Sequence, residues 1–406
     1  MTSSTGDHGL HVSLHALEFR QDRGEWIVGR QGNDQVIVLP DIGMAAVRLL
    51  SEGKTVEEAR SGLRASTGRD VDVRAFVEQL AAAGLVASIG DREFAAPPPV
   101  VSFPWLCSRH VRWAMSSAVH AFVLLVPVCA LLLVASDPKV LPTWDELLWA
   151  DYGTFTVLVQ VVVAACLIAL HELAHLVTAR AAGVPGRIRL GTRLQFLVAQ
   201  TEVSGIWLRS RRQRLTVYLS GIALDGFICG ICLALRGLGV NKPLLSVIIL
   251  TLVTALANQC LVFMRTDVYF VIQDLTGCRN LYGDAGRYVR YLAARMWGSR
   301  PDRHPLASMS KPEGRFLKAY TVGTLLASGV CVFIGLRILT DVSWPLFRRS
   351  LVRMVGDADP WARLDALVTV LLLCGLQCLW VRLWWKRHGG RTLALVRRWR
   401  GPFGRA

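Results

Sequence analysis

The stretch FTVLVQVVVAACLIAL (Phe155–Leu170) runs directly into HELAH (His171–His175), and the junction decides the architecture. On a helix, residues four apart lie on nearly one face, so His171 and His175 can share one metal ion. Glu172 lies beside them, placed to take a proton from a water activated there. HExxH has only three fixed positions, and chance matches in helices are common. The surroundings raise its weight. A helix apolar almost all round reads as a membrane span. Two histidines and a glutamate within it cost several kcal/mol unless they are used.

Composition points to a mixed architecture. The 406 residues are 52% hydrophobic, with mean hydropathy +0.39, high for a soluble chain and low for a purely membrane-embedded one. The net charge of +16 is uneven: residues 1–95 hold 10 Lys and Arg against 14 Asp and Glu, which leaves +20 on residues 96–406. That excess lies between apolar spans, where it suits cytoplasmic loops and anionic lipid headgroups and argues against a nucleic-acid partner. The opening MTSSTGDHGL lacks a basic segment and an apolar run, so no signal peptide is expected. Most of the 10 cysteines sit in apolar spans, Cys229 and Cys232 among them, and read as small packing residues.

Residues 1–95 read as a small α+β domain with a winged-helix-like pattern. Strands are expected over His11–Phe19, Trp26–Gly29 and Gln35–Leu39, with Gly32-Asn33-Asp34 turning between the last two. Three helices follow. The first is expected from an Asp41 cap to about Ser51, the second from Thr55 with Glu58 completing a capping box, and the third from near Asp70. A closing strand is expected over Gly84–Ala87. A net charge of −4 makes a phosphate-binding face a poor fit.

A Pro-rich linker over 96–111, holding Pro97, Pro98 and Pro99, leads to a membrane domain over 112–385 and a basic tail over 386–406. Six spans are expected, near 112–136, 154–182, 213–237, 243–265, 316–339 and 364–385. The acidic 137–151 loop belongs outside. The basic loops after the second and fourth spans belong inside, so a multi-pass membrane protein with both termini in the cytoplasm is expected. Arg348, Arg349 and Arg353 fall on the outer side against this rule. An interfacial helix over 343–360 would account for them, as would a different division of the last two spans.

Catalytic zinc takes three protein ligands and keeps a fourth position open. Two carboxylates could complete the set: Asp225, midway along the third span, and Asp267, at the inner end of the fourth. Depth along the spans does not choose between them. Between the second and third spans, Arg187–Leu190 and Leu194–Val198 have strand character, with turn points at Gly191 and Gly205. An open edge there could hold a peptide as an added strand.

These features resemble the site-2 protease family of intramembrane zinc metalloproteases, in its putative peptide zinc metalloprotease branch. Arg265-Thr266-Asp267-Val268-Tyr269-Phe270, then Asp274-Leu275 and Asn280-Leu281, is similar to that branch's R-x-D-G-Y-Y, D-L and N-L sequence. The resemblance makes Asp267 the third ligand. It aligns Leu219-Ser220-Gly221 and Asp225 with a non-ligand A-G-P-x-x-N stretch, which leaves Asp225 in reserve. It also suggests substrate positioning by Asn258, in a register off by one. Val268 and Val262 depart from the branch's usual Gly and Pro. In the N-terminal domain, Val36–Pro40, Leu50–Ala59 and Phe76–Leu80 running into Gly84-Leu85-Val86 resemble the PqqD-like recognition element that binds leader peptides of ribosomal natural products.

The resemblances imply an intramembrane endopeptidase. His171, His175 and Asp267 would hold one Zn²⁺ per chain, Glu172 would act as base and acid, and a leader-bearing peptide precursor would be the substrate. Association with other peptide-modifying or export proteins would be in keeping. Two other readings stay open: cleavage of a membrane-anchored signalling protein, and an inactive transport or immunity protein.

Overall fold

The computed structural model describes the chain except residues 1–8, 23, 31–35, 96–99, 194–195, 204, 241, 278–280, 297, 299–304, 308, 310, 357–358 and 401–406. The N-terminal segment forms β1 (Val12–Leu14), β2 (Leu17–Asp22), β3 (Glu25–Arg30), β4 (Val36–Leu39), α1 (Asp41–Ser51), α2 (Val56–Thr67), α3 (Val73–Ala82), β5 (Val86–Ile89) and β6 (Arg92–Glu93). Two small antiparallel sheets, β1-β5-β6 and β2-β3-β4, accompany the three helices. The single strand expected over His11–Phe19 is two. Val12 pairs with Ile89 in one sheet, and Phe19 pairs with Val28 in the other. The apolar positions change phase there, from Val12, Leu14 and Ala16 to Leu17 and Phe19, which matches the change of pairing partner. The turn expected at Gly32-Asn33-Asp34 lies outside the described residues.

Helix starts follow local chemistry with small shifts. Pro40 occupies the cap position of α1 and Asp41 is the first helical residue, its carboxylate accepting from Trp26 Nε1 at 2.8 Å. The indole therefore takes the oxygen that was expected to cap the helix. Thr55 and Glu58 form the expected reciprocal capping box on α2. Asp72 caps α3 through the Ala75 N–H at 2.9 Å, slightly later than the expected start. Val28, Val47, Leu50, Leu63, Leu80 and Leu85 are fully buried in one core. Each such side chain contributes about 1.5–3 kcal/mol relative to exposure.

The chain continues through α4 (Ser108–Val111), α5 (Ser117–Ser136), α6 (Gly153–Ala181), β7 (Gly186–Arg193), β8 (Phe196–Val203), α7 (Arg211–Gly237), α8 (Pro243–Gln259), α9 (Asp267–Thr276), α10 (Leu281–Met296), α11 (Lys311–Ile338), α12 (Trp344–Val355) and α13 (Pro360–Arg400). Among the described residues, five helical stretches are long and apolar enough to cross a membrane: Ser117–Ser136, Gly153–Ala181, Arg211–Gly237, Lys311–Val355 and Pro360–Leu379. Their outward faces are apolar, with Leu131, Leu132, Leu158 and Leu326 all more than half exposed.

The fourth expected span differs. Its helix, α8, has 17 residues and stops at Gln259 rather than running to 265. At ~1.5 Å per residue it covers about 26 Å, short of a hydrocarbon core of about 30 Å. Arg265 adopts a left-handed conformation, φ 55°, which no helix interior accepts, and α9 starts afresh at Asp267. The fifth span is longer than expected, because α11 passes through a π-helical segment, Leu339–Ser343, into α12.

Two compact units make up the chain: Met1–Val119 with Leu173–Arg189 and Thr201–Val217, and His120–Glu172 with Leu190–Gln200 and Tyr218–Ala406. In the first unit the acidic edge of β2 meets the start of α7. Glu18 pairs with Arg209 at 3.2 Å and Asp22 with Arg214 at 3.7 Å, while the Arg20 guanidinium donates to the Arg209 carbonyl. Ser102 bonds the backbone of β7, with the Ile188 N–H donating to its Oγ at 3.0 Å.

In the second unit α5 and α7 approach closely along a glycine face. A Cβ on Gly230 would lie 2.9 Å from Val126 Cγ1, and one on Gly237 2.9 Å from Leu133 Cδ2. A loop cluster ties Glu146 to Arg236 at 2.9 Å and to Ser246 at 2.5 Å. Burial pushes the Glu146 carboxyl up, but the bonds from Ser246, the Thr143 N–H and Arg236 outweigh it and hold it below its usual range. The α12 arginines that ran against the charge rule have a local partner. Arg349 pairs with Asp151 at 3.2 Å and Arg353 donates to the Asp151 carbonyl, just ahead of α6.

Candidate metal centre

α6 carries both histidines one turn apart. Its first two free N–H groups, Gly153 and Thr154, donate to the Asp365 carboxylate of α13 at 2.9 and 3.0 Å, so a neighbouring helix caps it. Further along, His175 Nδ1 lies 2.7 Å from the backbone carbonyl of Val217 in α7. A carbonyl only accepts, so Nδ1 carries the proton and donates, which leaves the Nε2 lone pair for a metal. His171 Nδ1 lies 2.7 Å from Asp225 Oδ2, and its Nε2 lies 3.0 Å from Asp267 Oδ2.

One ligand atom from each of His171, His175 and Asp267 comes within 4.8 Å of the other two. A tetrahedral zinc with bonds of about 2.0–2.1 Å places its ligand atoms about 3.3 Å apart. The 3.0 Å spacing of His171 Nε2 and Asp267 Oδ2 is close to that edge. Two imidazoles and one carboxylate make the donor set of a catalytic zinc with an open fourth position, so the residues fit the ion. Glu172 is buried on the same turn, 9% exposed.

The break after α8 is held by a residue that the sequence reading passed over. Gln259 donates from Nε2 to Asp267 Oδ2 at 3.1 Å and accepts the Asp267 N–H on Oε1 at 3.1 Å. Thr266 Oγ1 donates to the Gln259 carbonyl at 2.7 Å. Gln259 thus holds Asp267 at two points, its carboxylate and its backbone N–H, and the N-terminus of α9 adds a favourable dipole. Asn258, the neighbour singled out from sequence, is exposed, and its side chain has no hydrogen-bond partner among the described residues. Adjacent helical residues point about 100° apart, so Asn258 and Gln259 face different directions. The available signal was a polar side chain at the end of an apolar span.

Asp225 is 3% exposed and sits on the nitrogen of His171 opposite Asp267. Tyr269 and Phe270 pack edge to face, and Phe270 also meets Tyr218 of α7 at 5.8 Å. Asp274 is buried, while Asn280 lies outside the described residues. The strand expected over Arg187–Leu190 lies within β7; of the one expected over 194–198, residues 194–195 lie outside the described residues and the rest opens β8, which runs on to Val203, with Arg189 and Glu202 paired at 3.0 Å. Gly205 turns the chain at φ 83°, whereas Gly191 lies inside β7 and is not a turn.

Comparison with protein-family profiles, with curated proteins and with solved structures finds no match to this chain.

Proposed function

We propose that this chain is a multi-pass intramembrane zinc endopeptidase of site-2-protease type, with both termini in the cytoplasm, that cleaves a leader-bearing peptide precursor. The observation that carries this reading is the convergence of His171, His175 and Asp267 at an HExxH turn within a 29-residue apolar helix. Zinc bound there would polarise the scissile carbonyl and bring the pKa of a water down to about 7. The Glu172 carboxylate would take a proton from the attacking water and give it to the leaving amine nitrogen. Gln259 and the α9 start hold Asp267, and the Val217 carbonyl holds His175, so the ligands need little reorganisation.

The N-terminal domain supports the choice of substrate. Its β2-β3-β4 sheet ends on β4, where Val38 is exposed, so an extended leader could add there as a strand. Holding the leader would raise the local concentration of the cleavage segment.

Candidate precursors incubated in liposomes with wild type and with Glu172→Gln, and read by mass spectrometry, test the proposal. Wild type should release a defined fragment, and Glu172→Gln should retain zinc and lose about 10²–10⁴-fold in rate. Undiminished cleavage by Glu172→Gln would sink the mechanism. Cleavage of a membrane-anchored signalling protein, with no action on precursors, would reassign the substrate.

A further inference from the structure

Asp225 is a buried carboxylate in an apolar helix, and such a group costs several kcal/mol unless it is paired. Among the described residues, its hydrogen bond is to His171 Nδ1 at 2.7 Å. The two ring nitrogens of His171 are thereby divided. Nδ1 faces Asp225, and Nε2 faces Asp267. With Nε2 given to a metal, the remaining ring proton lies on Nδ1, which donates it to the Asp225 carboxylate. The carboxylate also fixes the ring against rotation and makes the imidazole a better donor to a metal.

α7 is well placed for such a role. It also supplies the Val217 carbonyl to His175 Nδ1, eight residues and about two turns before Asp225. Next to Asp225, a Cβ on Gly226 would meet Pro127 of α5 at 3.6 Å, and one on Gly230 would meet Val126 at 2.9 Å, so this part of the helix packs closely on α5.

We infer that Asp225 is a positioning residue that sets the tautomer and orientation of His171, and is not itself a metal ligand. This rests on the reading of the cluster as a zinc centre. α7 then supplies the outer hydrogen-bond partners of both histidines, one through a side chain and one through its backbone.

The test uses full-length protein in detergent, with zinc affinity measured by competition against a chromogenic chelator. Cobalt(II) absorption reports the ligand set independently of activity. Wild type should bind one zinc. Asp225→Ala should bind about 10–100-fold more weakly, with the cobalt band unchanged in position. Asp225→Asn, whose amide oxygen accepts the same N–H, should recover most of the affinity. It also keeps the test open if the Ala variant fails to fold, because ¹⁵N-histidine NMR of the zinc-loaded Asn protein should show a protonated Nδ1 on His171.

Equal affinity in wild type and Asp225→Ala would overturn the role of Asp225 while leaving the zinc reading intact. A changed cobalt spectrum in both variants would make Asp225 a ligand, and His171 metallated through Nδ1 in the Asn protein would likewise overturn the inference. A wild-type chain that takes up no zinc would overturn the zinc reading and this inference together.

Discussion

At the scale of residues, Gln259 and Asp267 are coupled more tightly than their separation in sequence suggests. Two hydrogen bonds at 3.1 Å join them across the break between α8 and α9. On the proposed zinc centre, Asp267→Ala removes one of the three donor groups and should abolish stoichiometric zinc by elemental analysis. Gln259→Leu leaves the ligand set intact but frees the carboxylate, and should weaken zinc by about 10–100-fold in chelator competition. Asn258→Ala should leave zinc binding unchanged, since the exposed Asn258 side chain bonds none of the ligands. HExxH was legible because its residues are consecutive on one helix. Gln259 was not, because its role depends on where the helix ends.

At the scale of elements, the α5–α7 contact depends on the absence of side chains. Gly230→Val puts a Cβ 2.9 Å from Val126 Cγ1 and 3.2 Å from the Val126 carbonyl, and backbone cannot move aside as a flexible side chain does. The variant should lose about 1–3 kcal/mol of stability, seen as a lower midpoint in thermal unfolding of the solubilised protein. In the N-terminal domain, Thr55→Ala removes the capping oxygen that receives the Glu58 N–H. It should cost about 1 kcal/mol and loosen α2, read as faster amide exchange in its first turn. The capping box was readable from Thr55 and Glu58 alone, because both partners lie within one turn. The Asp41 cap was not, because Trp26 arrives from a different strand.

At the scale of the whole molecule, the β2 contacts show what the charge balance of the two regions does. An acidic N-terminal domain and a basic membrane segment meet through Glu18 with Arg209 and Asp22 with Arg214. Arg214 is buried, 2% exposed, so its pairing with Asp22 is less screened than a surface contact. Glu18→Lys together with Asp22→Lys should release the domain from this contact, read as faster limited proteolysis within residues 95–107. The metal content should stay unchanged. Unaltered proteolysis would mean that packing, and not charge, holds the domain there.

The sequence by itself determined what depends on neighbours along the chain: the apolar helices, the HExxH turn, the capping box and the acidic-then-basic order of charge. Tertiary structure decided what depends on distant partners. It ended α8 at Gln259, divided the first strand between two sheets and extended α11 through a π segment. It also put Asp267 and Asp225 on opposite nitrogens of His171. The physical reason is geometric. Periodicity says which face of a helix a residue occupies, but which nitrogen of an imidazole a carboxylate meets is set by how three helices pack.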